Sequence, residues 1–126
     1  MKKLTGVIAL SVVTVCMLSA FTSAPDAIHF ALSKSAPEAD ASVEAPSEIR
    51  LWFTQEPQDG TTSIRVVGAD EAGVHVGDVE QDGEDATSFA VPLHGTLPAG
   101  TYTVAWRGMG QDGHVISETF AFTVTP

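Results

Sequence analysis

Alternation of apolar and polar residues with a period of two most constrains how this chain of 126 residues can fold. Ile49, Leu51 and Phe53 fall on one face of an extended run. Because successive side chains of a β-strand point to opposite faces, such a run predicts a half-buried strand. Five further runs have this spacing: Ile64 with Val66, Val74 with Val76, Phe89 with Val91 and Leu93, Tyr102 with Val104 and Trp106, and Phe120 with Phe122 and Val124.

The segments between these runs consist of turn and loop residues. Examples are Pro57-Gln58-Asp59-Gly60 and Leu97-Pro98-Ala99-Gly100. With a first strand near Phe30 to Ser35, the runs predict seven strands, and no stretch after residue 28 has a helical period. The sequence therefore predicts an all-β domain, either two packed antiparallel sheets or a small Greek-key barrel. Its expected core is Leu51, Phe53, Val66, Phe89, Val91, Tyr102, Val104, Trp106, Phe120 and Phe122.

The N-terminus has the organisation of a cleaved secretory signal. Met1-Lys2-Lys3 is basic, the run from Leu4 to Leu18 is uncharged, and small residues follow it. An apolar run of this length is short for a bilayer span, so residues 1–27 are interpreted as a signal peptide and an uncleaved anchor is the alternative. The only cysteine, Cys16, lies in this segment, and we therefore expect no disulfide in the exported domain.

The position of the cleavage site stays open. Cleavage after Ala20 or Ala27 suits the preference for small residues, whereas cleavage after Ala24 leaves Pro25 beside the cut. None of these cuts makes His29 the first residue. A cut after Ala27 places His29 second, and its imidazole then lies one residue from the free α-amino group.

The expected exported domain, residues 29–126, is strongly acidic. It has four basic side chains against fifteen acidic ones, a formal charge of −11. A field of this sign repels phosphate backbones, so nucleic acid is an improbable partner. It attracts cations weakly, although most acidic surfaces are simply solvated.

Two histidines and a carboxylate are the candidate metal ligands. His29 lies near the start of the expected domain, and Asp112-Gly113-His114 lies between the last two runs. Imidazole nitrogens with an anionic oxygen are donors that Cu(II) prefers, and Gly113 lets the chain bend so that its two neighbours can face one point. An isolated Asp-x-His is more often an ordinary loop. The alternation places His75 on a solvent-facing side, and His94 lies in a turn.

These segments resemble the CopC family of periplasmic copper-binding proteins, also called YobA-like. His29 to Pro37 is similar to the family's opening His-x-x-Leu and Ser-x-Pro. Leu97 to Arg107 leads, as in the family, into Asp112-Gly113-His114 and a last strand ending at Val124. The resemblance covers essentially the whole expected domain, and its C-terminal half is the specific part.

The resemblance implies a seven-stranded Ig-like or cupredoxin-like β-sandwich that holds Cu(II) through an N-terminal His, by amine and imidazole, and through the Asp and His of a loop. Carried over to this chain, it assigns His29, Asp112 and His114 as metal ligands. It also implies a non-enzymatic, periplasmic protein that stores copper or passes it to a CopD-like inner-membrane partner. We expect a monomer.

Two positions depart from the family pattern. Gln55 stands where the family has Glu after its Phe-Ser pair, with Glu56 one place later, so a supporting carboxylate is absent or shifted. Ala31 stands where many relatives have a second His.

Two other functions are compatible with the sequence. An N-terminal histidine that chelates copper is also used by polysaccharide monooxygenases, but this small domain has no evident aromatic platform for a substrate. A metal-free Ig-like interaction module is the third hypothesis.

Overall fold

The computed structural model describes residues 29–126, which fold into two packed β-sheets. The expected signal peptide and Cys16 lie outside the described residues. The described residues form eight strands: β1 (Leu32–Ala36), β2 (Ser42–Val43), β3 (Glu48–Phe53), β4 (Ser63–Gly68), β5 (Glu80–Gln81), β6 (Ser88–Pro92), β7 (Gly100–Met109) and β8 (Val115–Val124). Within residues 29–126 no helix has the length and apolar character needed to cross a membrane.

Each sheet has four strands. Sheet A has the order β1-β3-β6-β5, and sheet B has the order β2-β8-β7-β4. All pairings are antiparallel except the short β2–β8 pair, which is parallel. The all-β sandwich expected from the alternation is confirmed, with eight strands in place of seven. The two added strands, β2 and β5, are two residues long, and a pair of residues is too short to show a period.

The run around Val74 and Val76 does not form a strand, contrary to expectation. Gly73 bridges to Val67 of sheet B, and Val76 bridges to Leu93 beside sheet A. This segment therefore changes from one sheet to the other within four residues. Gly73 and Val76 each have a pairing partner, but neither sheet gains a continuous ladder.

The core lies between the sheets and contains the expected inward faces of the strands. Trp106 is 2% exposed, and Leu51 and Val104 are fully buried. Phe89 and Phe120 are half-buried, which differs from the prediction. Phe89 lines an open cleft beside the short strand β5, and β2 covers the edge of β8 only at residues 123 and 124, beyond Phe120.

The two ends of the sandwich have different structures. At the hairpin end, β3 ends at Phe53, and β7 connects to β8 through residues 110–114. At the opposite end lie Gly68, Pro92 and Gly100. The expected metal ligands all belong to the hairpin end.

Candidate metal centre

A tight turn between β7 and β8 carries Asp112 and His114. The last ladder pair is Met109 with Val115. The Gly110 N–H then donates to the His114 carbonyl at 3.0 Å, and the Gly113 N–H donates to the Gly110 carbonyl at 3.0 Å. Gly113 has φ +85°, which favours glycine. The bend expected from this glycine therefore brings the two flanking side chains together.

Asp112 and His114 form a hydrogen-bonded pair. Asp112 Oδ1 accepts the backbone N–H of His114 at 3.0 Å, and Asp112 Oδ2 lies 2.9 Å from Nδ1 of the imidazole. Because Nδ1 is held by the carboxylate, Nε2 is the ring nitrogen left to bind a metal, an arrangement that also orients many metal-binding histidines. The His114 side chain is 81% exposed and that of Asp112 is 47% exposed. A metal or a partner protein can thus reach the pair.

The contact also shifts the acid–base behaviour of both groups. The hydrogen bond from His114 lowers the pKa of Asp112 below its ordinary value. The same hydrogen bond raises the pKa of His114, because the carboxylate favours the charged imidazolium. A bound metal must displace the proton from His114, so binding competes with protonation in acid.

Thr54 fixes the segment that contains His29. Thr54 Oγ1 donates to the His29 carbonyl at 2.6 Å and accepts the Ala31 N–H at 3.0 Å. The Thr54 N–H donates to the Ala31 carbonyl at 2.9 Å. Residues 29–31 are therefore attached to the end of β3, while the His29 side chain is exposed.

Phe30 places this segment against the metal turn. Its ring is buried, with its centroid 4.7 Å from that of Phe53 and 6.1 Å from that of Trp106. A Cβ added at Gly108 would lie 2.7 Å from Phe30, and one at Gly110 would lie 2.8 Å from it. The two glycines therefore admit Phe30 against the β7 backbone, and His29 lies one residue from the contact with Gly110.

Two glutamine side chains connect this turn to the loop after β3. Gln58 donates its side-chain N–H to the Gly110 carbonyl at 3.0 Å, and Gln111 donates to the Glu56 carbonyl at 2.9 Å. The Glu56 carboxylate accepts from Gln81 at 3.2 Å. Sequence reasoning did not identify Gln58, Gln111, Thr54 or the paired glycines of β7. Only Gly108-x-Gly110, unusual within a strand, signals a close backbone contact in advance.

The structure brings together two of the three expected ligands. Asp112 and His114 touch, and His29 lies beside their turn through Phe30. Within residues 29–126, however, no group of three or more His, Cys, Asp or Glu side chains is arranged so that it could hold a metal ion. The donors next to the turn are imidazoles and a carboxylate, a set that fits Cu(II).

Comparison with known proteins links the fold to copper resistance proteins. The model of the CopC domain family matches residues 32–125. Copper resistance protein C of Escherichia coli is 32% identical over 102 residues, which cover 76% of this chain and 81% of the relative. Protein YobA of Escherichia coli K12 is 30% identical over 97 residues, which cover 76% of this chain and 78% of the relative.

Two crystal structures have the same architecture. PcoC, a methionine-rich copper resistance protein from Escherichia coli, superimposes with a TM-score of 0.68 at 31% identity, over 77% of this chain and 99% of PcoC. CopC from Methylosinus trichosporium OB3b gives a TM-score of 0.70 at 25% identity, over 78% of this chain and 95% of CopC.

Proposed function

Because the chain belongs to the CopC domain family, we propose that it is an exported, non-enzymatic protein that binds Cu(II) and stores or delivers copper in the periplasm. The observation that carries the proposal is the Asp112–His114 pair, which an exposed turn holds beside His29. Relatives named as copper resistance proteins support copper as the metal.

The proposed ligands are His29, Asp112 and His114. His114 offers Nε2, since Asp112 holds Nδ1. His29 is tethered by Phe30 and Thr54, but its side chain is exposed and free to turn toward the hairpin. Asp112 contributes a negative charge that offsets part of the metal charge, and each oxygen of its half-exposed carboxylate keeps a lone pair beside the hydrogen bond that it accepts from His114. The free-energy cost of orienting exposed side chains is small compared with the free energy gained when metal–nitrogen bonds form.

The α-amino group is the proposed fourth donor. Three side chains on a surface bind a metal weakly. A free amine at or next to His29 can bind the same ion as the His29 imidazole, and the two donors then form a chelate. We therefore propose that export cleaves the chain at His29 or within one residue of it. A free amine has a pKa near ~8 and must lose its proton to bind, so copper affinity rises with pH across the neutral range.

Exposure of the turn supports a role in transfer. A copper ion held at His114 can be approached directly by a partner's ligands, because 81% of this side chain is open to solvent. The proposed partner is a CopD-like inner-membrane protein that accepts copper from the monomeric protein. The formal charge of −11 over residues 29–126 favours association with cations and opposes association with nucleic acid.

Mass spectrometry of the exported protein, followed by Cu(II) titration with and without acetylation of its N-terminus, tests the proposal. We expect a first residue at or next to His29, one tightly bound Cu(II), and nitrogen coordination in the electron paramagnetic resonance spectrum. Acetylation should weaken binding sharply and change the spectrum.

Two outcomes would contradict the proposal at different points. An unchanged affinity and spectrum after acetylation would exclude the amine as a ligand. Absence of tight Cu(II) binding by the unmodified protein would exclude the copper function itself, and would favour the metal-free interaction module.

A further inference from the structure

At the opposite end of the sandwich, the side chains of His75 and His94 lie next to each other. Their ring centroids are 5.6 Å apart with the ring planes inclined by 45°, and both side chains are exposed. The backbone explains the pairing. Val76 bridges to Leu93 in antiparallel register, so His75 lies directly across from His94, whose N–H donates to the His75 carbonyl at 3.2 Å.

We propose that His75 and His94 form a second metal site, which binds a divalent first-row transition metal ion, Cu(II) most strongly. Antiparallel neighbours directly opposite each other present their side chains on the same face of the sheet. The pair therefore offers two imidazoles to one ion, and water fills the remaining coordination positions. The order of stabilities of divalent metals places Cu(II) above Zn(II) and Ni(II) for such nitrogen donors.

The separation of the rings fits one shared ion. With metal–nitrogen bonds of about 2.0–2.1 Å, two imidazoles on one metal have ring centroids from about 4.5 Å apart at a right angle to about 6.4 Å apart in a line. The observed 5.6 Å falls inside this interval. The ring separation is therefore compatible with one ion bound between the two imidazoles once the exposed rings turn a nitrogen toward it.

The absence of a side chain at Gly77 lets the Pro92 ring and the His94 side chain approach the segment that carries His75. Gly77 lies two residues from His75 on the same face, and its N–H donates to the Pro92 carbonyl at 2.9 Å. A Cβ added at Gly77 would lie 2.5 Å from Pro92 and 3.4 Å from Nε2 of His94. Nε2 of His94 thus lies close to the segment that carries His75.

The second site is independent of the Asp112–His114 turn. His75 and His94 lie at the end of the sandwich where β4 ends at Gly68, opposite Tyr102 of β7. From Tyr102 to Met109 the strand extends for about 23 Å at about 3.3 Å per residue. The two sites can therefore be removed separately, and the inference does not depend on the proposed function.

The test uses the exported protein with His29 and His114 both replaced by Ala, which leaves His75 and His94 as its only histidines. Cu(II) is titrated by calorimetry, and the complex is examined by electron paramagnetic resonance. His75→Ala and His94→Ala are then added singly and together. Glu84→Gln, an exposed change of charge elsewhere, is the matched control.

The two-histidine variant should bind one Cu(II) with two imidazole nitrogens. Either single replacement should weaken binding by at least about tenfold, because the second imidazole acts at a high effective concentration. Removal of both should add little to that loss, and Glu84→Gln should change nothing. The proposal is overturned if the two-histidine variant binds no Cu(II), or if each single replacement leaves the affinity unchanged. Whether or not the second site exists, loss of tight Cu(II) binding when His29 and His114 are replaced would support the proposed function.

Discussion

The two ends of the sandwich hold their candidate metal ligands by different means. At the hairpin end, the buried ring of Phe30 packs against Gly108 and Gly110. The turn that carries Asp112 and His114 comes directly after these glycines in the chain. At the opposite end, two isolated bridges and the Gly77 N–H hold the segment from Gly73 onward. Close packing of Phe30 on two glycines positions the first group, whereas the second is positioned by backbone register, with Val76 and Leu93 packed against the core. Core mutations should therefore disturb the two ends unequally.

Trp106→Ala should give the largest effect. Trp106 is 2% exposed and contacts Phe30 and Phe53, so its removal leaves a cavity under the hairpin end. We expect the free energy of unfolding to fall by about 3–5 kcal/mol in urea denaturation. Val115→Ala, at a 43% exposed position, is the control and should stay within about 0.5 kcal/mol of the parent. Similar small losses in both variants would mean that Trp106 does not support this end.

Gly110→Ala distinguishes the two ends directly. The added Cβ would lie 2.8 Å from Phe30 and 3.0 Å from Asp112 Oδ1, so the turn must shift. We expect a loss of about 1–3 kcal/mol in unfolding free energy from overpacking, together with weaker Cu(II) binding.

Gly73→Ala, at the opposite end, is the matched variant. Its Cβ would meet nothing within 4 Å, and it should change stability by less than about 0.5 kcal/mol. If the two alanine variants had equal stability and equal Cu(II) affinity, close packing on Phe30 would not position the metal turn.

The sequence pattern predicted the strands that face the core, but it did not predict structure that depends on tertiary contacts. Leu51, Val104 and Trp106 follow from their spacing, since a period of two directly reports a buried face. The segment at Val74 and Val76 has the same period, but it divides its pairing between two sheets. No local signal marks such a crossing.

The candidate site was predictable only in part. Asp112 and His114 are two residues apart around a glycine, so their contact follows from local chain geometry. The position of His29 beside them depends on Phe30 meeting Gly108 and Gly110, a contact across about eighty residues of chain. The pairing of His75 with His94 depends on a register that two isolated residues do not reveal.

Titration of the copper-free protein should show the Asp112–His114 contact. The pKa of His114 is raised, so its charged pairing stabilises the fold below the unfolded value of 6.5 and is lost as pH rises through the folded value. The pKa of Asp112 is lowered, so its pairing is present above 3.8 and is lost as pH falls through the folded value. Both groups are charged, and the ion pair is present, between the lowered pKa of Asp112 and the raised pKa of His114.

Asp112→Asn should lower the pKa of His114 toward 6.5, as followed by NMR of the imidazole protons. Asp70→Asn is the control at the opposite end, where Asp70 also accepts the N–H two residues on. It should leave the pKa of His114 unchanged. Equal pKa values in the two variants would show that Asp112 does not hold the ring in solution.

The affinity of the exported protein for its first Cu(II), measured by competition titration in His114→Ala and in His75→Ala, decides which end of the sandwich holds the copper site. These histidines lie at opposite ends of the sandwich, and both are exposed. We expect His114→Ala to abolish tight binding, whereas His75→Ala should leave the first ion bound as in the parent protein. Equal tight binding by both variants would contradict the assignment of the copper site to the hairpin end.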